Sequence, residues 1–314
     1  MLVICGKRGQ LCNRLFPFAN LVAVGAERSV TVVNPGFDEY APWFAGTAAG
    51  PWPRFPPPPP RRGRAWMGGM AYPAAALAMR LDRRLGLVPF VALDDDQMLD
   101  LEDPSRQDLV QRLLRAPVAL VDGLYLLARE TFARQAELVR SYFAPVPLVA
   151  SAAARSIEEA RVGCDVLIGV HVRQGDYRTH KPAFFHATER YVRLMRVLEA
   201  AFAGSRVAFL VCSDAPQPRD AFRSLRVRFG TGHPAEDLFA LAGCDYIAGP
   251  PSTFSQWASF HGRVPRYVWE PGKEREGANE EPPPRLEEFV VHEQGYGRFT
   301  GGVGSPATGT VKGP

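Results

Sequence analysis

No uninterrupted apolar run in this chain reaches the roughly 20 residues that a membrane-crossing helix needs, so no transmembrane segment is expected. The opening Met1-Leu2-Val3-Ile4-Cys5 runs straight into a strand-like stretch. It has no basic leader, long apolar stretch or small-residue cleavage site, so it does not read as a secretory signal and a cytoplasmic location is expected. Paired cysteines are also missing. The five present (Cys5, Cys12, Cys164, Cys212 and Cys244) are odd in number and form no C-x-x-C. They read as buried, reduced thiols behaving as small hydrophobes. No Cys/His pair has ligand spacing, so no zinc site is expected. Charge of one sign is scarce too: 37 Lys+Arg against 33 Asp+Glu leave +4 over 314 residues, too little to build a nucleic-acid surface. The basic residues are almost all arginine, whose planar fork suits phosphate oxygens, although a chain-wide composition bias is the plainer source.

At 46% hydrophobic and 22% charged residues, the chain is globular, with enough length for one large core or two ordinary ones. Leu2–Cys5 reads as a buried strand, Gly6-Lys7-Arg8-Gly9 as a turn, 13–26 as a helix and 30–33 as a second strand. That is a βαβ opening, which predicts a parallel sheet. Residues 50–64 hold five consecutive prolines, Pro56 to Pro60, flanked by Arg54, Arg61, Arg62 and Arg64. This composition predicts a stiff surface insertion. Residues 71–85 read as helix, 88–93 and 118–121 as strands, and 130–142 and 148–160 as helices. The second half alternates more clearly, with strands at 166–172, 206–212, 246–248 and 266–269 and helices at 189–202, 235–242 and 253–260. The expected fold class is α/β, with two Rossmann-like doubly wound domains facing a cleft. The expected division is 1–150 and 151–290, with a Gly/Ser/Thr/Pro-rich disordered tail at 291–314.

The segment Gly169-Val170-His171-Val172-Arg173-Gln174-Gly175-Asp176-Tyr177 carries the clearest chemistry. Strand alternation sends His171 and Arg173 the same way, at the carboxyl end of a buried strand, where open α/β sheets bind ligands. Arg173 can fork onto a diphosphate. An ion pair with Asp176 at the strand end explains the same two residues, and spacing leaves both readings open. In the second segment, from Glu236-Asp237 through Cys244-Asp245 to Ser252-Thr253-Phe254, Ser252 or Thr253 opens a helix as its N-cap. The free N–H groups of that helix end make an anion site; an ordinary capped helix looks the same. Asp237 is already favourable near the start of its own helix. Turned toward a cleft, its two oxygens match the paired N–H donors of a guanine edge. A third segment, Gly9-Gln10-Leu11-Cys12-Asn13-Arg14-Leu15, places a glycine turn before a helix. It fits neither the dinucleotide nor the P-loop glycine pattern.

Together these three segments, spread over about 250 residues from Gly9 to Phe260, resemble the GDP-fucose-dependent fucosyltransferase superfamily, which includes the α1,2-, α1,6- and protein O-fucosyltransferases. The resemblance implies a GT-B fold with GDP bound mainly by the C-terminal domain. It implies Arg173 on the diphosphate, His171 beside the nucleotide, Asp237 on guanine and Ser252 and Thr253 on phosphate. Phe254 and Gly9 would line the donor site, and Asn13 would face the fucose or diphosphate. The donor is then GDP-fucose, the acceptor a glycan or glycoconjugate, and no cofactor is needed. The expected chemistry is metal-independent, inverting transfer, in which Arg173 stabilises charge growing on the β-phosphate. Asp176 is either a general base or the partner that orients Arg173. Two other readings stand beside this one. Asp94-Asp95-Asp96 contains D-x-D, which can hold Mn²⁺ or Mg²⁺ in a metal-dependent glycosyltransferase through Asp94 and Asp96, or is a solvated acidic loop. The chain could also be a nucleotide- or glycan-binding protein without turnover.

Overall fold

The structure, a computed structural model, describes residues 1–50, 52–58, 76–77, 86–180, 182–269 and 291. All but the first residue of the tail expected at 291–314, and most of the helix expected at 71–85, lie outside them. The described chain divides into two compact units, one of Met1–Val146 and one from Pro147 onward.

In the first unit, β1 (Leu2–Ile4), β2 (Val32–Val33), β3 (Arg54–Phe55), β4 (Phe90–Ala92) and β6 (Ala119–Asp122) form one sheet in the order β3-β2-β1-β6-β4. All neighbours are parallel except β3, which runs antiparallel to β2. The segment expected to be loop from residue 50 onward therefore contributes an edge strand, immediately before its prolines remove the N–H donors a ladder needs. β5 (Met98–Asp100) and β7 (Tyr125–Leu127) make a separate parallel pair. The helix Leu11–Arg28 carries thirteen buried residues. It is tied across the unit by buried Asn20, whose Nδ2 donates to Phe16 O and whose Oδ1 accepts from Ala128 N, both at 2.9 Å. The helix expected over 130–142 is two, Arg129–Arg134 and Ala136–Tyr142, parted at Gln135.

In the second unit, β8 (Val166–Val172), β9 (Val207–Ser213), β10 (Val227–Phe229), β11 (Tyr246–Gly249) and β12 (Arg266–Val268) form an all-parallel sheet ordered β10-β9-β8-β11-β12. β8 is apolar almost throughout because both its faces are covered. Ile168, Val170 and Val172 enter a core with Tyr191, Leu194, Met195 and Leu198 of the helix Thr188–Ala201. The opposite face, marked by Gly169, lies against Leu241 and Cys244; a Cβ on Gly169 would come within 2.6 Å of the Leu241 side chain. By alternation His171 and Arg173 belong to that same face. The chain leaves β8 toward β9 on one side, while β11 packs on the other. The order reverses at β8, and the crevice at the carboxyl ends of β8 and β11 is where open parallel sheets bind ligands.

Candidate functional site

Arg173 leaves β8 at that crevice, with only 14% of its side chain exposed. A guanidinium this enclosed needs partners. Its Nη2 donates to Asp176 Oδ2 at 2.7 Å, its Nη1 lies 3.2 Å from Asp214 Oδ2, and its plane sits over the Tyr177 ring with 5.5 Å to the centroid. Asp214, at the exit of β9, also accepts from Gln174 N (2.8 Å) and Gly175 N (3.1 Å) through Oδ1. One carboxylate thus fixes both the turn after β8 and the arginine that the turn presents. Spacing pointed to the pair with Asp176 but not to Asp214, whose sequence signal is an acidic residue directly after a buried strand. Oδ1 of Asp176 is buried without a hydrogen-bond partner among the described residues.

Across the crevice, the helix Thr253–Gly262 opens with Ser252 as N-cap, its Oγ accepting from Phe254 N at 3.2 Å. Tyr177 binds the strand exit to this cap by donating its hydroxyl to Pro251 O at 2.7 Å. Burial holds that phenol up to about 12, so it donates throughout the physiological range. Behind the cap, buried Arg266 donates from Nη1 to Ser252 O (3.1 Å) and Ser255 Oγ (3.0 Å). His171 is buried and stacks on Phe254 at 5.0 Å. Burial, reinforced by Arg173 and Arg266, lowers it to about 3. It is neutral at pH 7, and its Nδ1 has no hydrogen-bond partner among the described residues. The close approach of the two strand exits depends on Gly249: a Cβ there would lie 2.6 Å from His171 O.

Asp237 lies apart from this cluster, in the wall of a cavity of about 430 Å³ at the ends of β9 and β10. Asp214, Gln217, Arg219, Phe229 and Thr231 also line it. Asp214 thus faces both Arg173 and the cavity, and guanidinium and cavity are neighbours. Asp237 is engaged with its own loop: Oδ1 accepts from Thr231 N (2.8 Å) and Oδ2 from Gly232 N (3.2 Å). Burial nevertheless raises it to about 6 against those bonds. Arg219 covers the Phe229 ring at 5.1 Å. Sequence reading missed β10, and with it this wall, because Val227-Arg228-Phe229 is short and lies at the sheet edge.

Gly9 and Asn13 belong to the first unit. Gly9 takes φ +64°, and a Cβ there would meet Asn13 Nδ2, so the turn closes directly over the asparagine. Arg14 supports it, donating to Gly9 O (2.9 Å) and Gly36 O (3.1 Å) and pairing with Glu39. Arg8 ends the β1 exit in a fork on Asp122 (2.7 and 3.2 Å) and reaches Asp95 (2.5 Å). The central residue of Asp94-Asp95-Asp96 is therefore occupied by an arginine, and Asp94 N donates to Gln97 Oε1 at 3.0 Å. Among the described residues no group of three or more His, Cys, Asp or Glu side chains is placed to hold a metal ion. No described helix is long and apolar enough to cross a membrane.

The second unit is thus a parallel, doubly wound α/β sheet with an arginine and a capped helix start at its reversal point and a cavity beside them at the ends of β9 and β10. No protein-family model and no curated protein matches the chain. Solved structures do. A point variant of Arabidopsis thaliana FUT1 in complex with GDP matches at 13% identity and a TM-score of 0.56, covering 87% of this chain and 71% of that one. POFUT1 in complex with GDP matches at 12% identity and a TM-score of 0.47, covering 85% and 98%. POFUT1 in complex with GDP-fucose matches at 9% identity and 0.47, covering 87% and 98%. The chain has the fold of fucosyltransferase structures, an argument that rests on the first of these.

Proposed function

We propose that the chain is a glycosyltransferase that binds GDP-fucose and transfers L-fucose to a glycan hydroxyl with inversion and without a metal. In this reading its two units form a GT-B pair of domains. The observation that carries it is Arg173, fixed at the exit of β8 beside a capped helix start on one side and the cavity on the other. The supports are complementary. A guanidinium and the positive end of a helix suit a diphosphate, and a cavity with an acidic wall suits a guanine edge. The FUT1 structure whose fold the chain shares is in complex with GDP.

As the bond from the sugar to GDP breaks, negative charge grows on the β-phosphate. Arg173, already ordered by Asp214, stabilises it without reorganising. Ser252 and Thr253 present the helix start to the phosphates, and His171 and Phe254 stack behind them as a neutral floor. Asp237 receives guanine N–H groups on lone pairs its loop leaves available. Asp176, with one unpartnered oxygen next to Arg173, is the candidate base for the acceptor hydroxyl. Gly9 and Asn13 serve the sugar side from the first unit.

The test is a thermal-shift panel of GDP, UDP and ADP on wild type and Arg173→Ala, followed by a GDP-fucose hydrolysis or transfer assay. A ligand that binds only the folded state at 100 times its Kd adds about 2.7 kcal/mol, a clear rise in Tm. GDP should raise the wild-type Tm more than UDP or ADP and leave Arg173→Ala unmoved, and turnover should fall by about 10²–10³ or more. No GDP shift in wild type overturns the proposal. Binding without turnover reduces the chain to a nucleotide-binding protein. Loss of turnover in excess EDTA restores the metal-dependent reading through Asp94 and Asp96.

A further inference from the structure

Two glutamines that no part of this mechanism uses join the cavity to the arginine. Gln174, the buried residue directly after Arg173, accepts on Oε1 from Gln217 Nε2 at 2.7 Å. Its own Nε2 donates to His186 O at 2.8 Å. Gln217 closes the loop after β9 on itself, its Nε2 also reaching Ser213 Oγ (3.1 Å) and Ala215 O (3.2 Å). Its Oε1 accepts from Thr188 Oγ1 at 3.1 Å. The residues so gathered, Ser213 to Gln217, are one wall of the cavity, and Gln174 is fixed to the strand exit through its N–H on Asp214. A satisfied, partly buried amide network of this kind fixes one geometry rather than adding much net stability.

We propose that Gln174 and Gln217 are positioning residues: their amide–amide bond holds the cavity wall in register with Arg173, so that base and diphosphate of one nucleotide are bound together. The inference rests on the nucleotide reading given above. Its physical content is coupling. Two half-sites held at the right separation bind a linked ligand far more tightly than either half alone, because the second contact forms at high effective concentration. If the register loosens, each half-site keeps its own affinity and the linkage advantage falls.

The experiment is titration calorimetry with GDP, guanosine and inorganic pyrophosphate on wild type, Gln217→Ala and the neutral, similarly sized Gln217→Met. The methionine keeps the length and fills the space but lacks the N–H donor to Gln174, and it guards against a failure of the alanine variant to fold. Gln217→Met and Gln217→Ala should weaken GDP at least tenfold while guanosine and pyrophosphate stay within twofold of wild type. Equal loss for guanosine and GDP would mean that Gln217 touches the base, and unchanged GDP affinity would mean that the bond positions nothing; either overturns the inference. If wild type itself binds no GDP, the nucleotide reading fails instead, and the two failures are told apart in one data set.

Discussion

Asp237 shows how two opposed forces on one side chain become a measurable pH dependence. Burial disfavours its charge, and the Thr231 and Gly232 N–H groups favour it; burial wins, and the group sits at about 6 against roughly 3.9 in an unfolded chain. The native state therefore holds this proton more tightly than the unfolded state between about pH 4 and 6. The stability it contributes is whole below pH 4 and is lost as pH rises through 6, up to about 3 kcal/mol at 1.36 kcal/mol per unit. Asp237→Asn cannot titrate. Urea midpoints taken at pH 4, 5, 6 and 7 should show wild type losing ground to the variant as pH rises, mostly between 4 and 6. A constant difference across the series would show that the shift does not exist. At this scale the sequence was legible where partners are close along the chain. Asp176, three residues from Arg173, was visible as its partner. Asp214, from another strand, became a partner only once β8 and β9 paired, and no spacing rule reaches that far. Asp237 was noticed, but its bonds to Thr231 and Gly232 depend on a loop that no local pattern announces.

Elements were more legible than contacts, and the reason is periodicity. Val166–Val172 was readable to the residue, since a run of strand length that is apolar but for His171 and rich in β-branched residues fits a buried strand. The helix Thr253–Gly262 announced its own start through Ser252. Arg54–Phe55 and Val227–Phe229 were not visible: at two and three residues they carry no period, and tertiary pairing alone makes them strands. The join between β8 and β11 depends on one position that periodicity does not mark. At Gly249 a methyl group would press on His171 O at 2.6 Å, against backbone rather than a side chain that could swing away. Gly249→Ala should cost about 1–3 kcal/mol, the usual range for overpacking, read as a lower urea midpoint. It should also shift the His171–Phe254 stack and weaken GDP in the same calorimeter. A variant within 0.5 kcal/mol of wild type, as about expected for an ordinary surface change, would show that the strand exits are not in contact.

The two-unit organisation of the whole molecule has a consequence for what each part can do alone. The second unit closes its own core: β8 and β9 pair over seven residues, and the helix Thr188–Ala201 covers one face of the sheet. The helices Pro147–Arg161 and Pro234–Leu241 pack together in the same unit. Every side chain assigned here to GDP, from His171 and Arg173 to Asp237 and Ser252, lies within it. Gly9 and Asn13 lie in the other unit, in a turn built on Arg14 and a φ that glycine supplies. The division expected near residue 150 came from βαβ alternation restarting after the helix there, whereas how two folded units face each other is encoded in no local pattern. A fragment of residues 147–292 is therefore expected to fold cooperatively and to bind GDP within about threefold of the full chain, since binding energy drawn from one unit does not need the other. It is expected to transfer nothing, because the sugar-side residues are gone. Calorimetry on the fragment beside a transfer assay decides it: a folded fragment that has lost GDP would move part of the nucleotide site onto the first unit, and a fragment that still turns over would remove Gly9 and Asn13 from the chemistry.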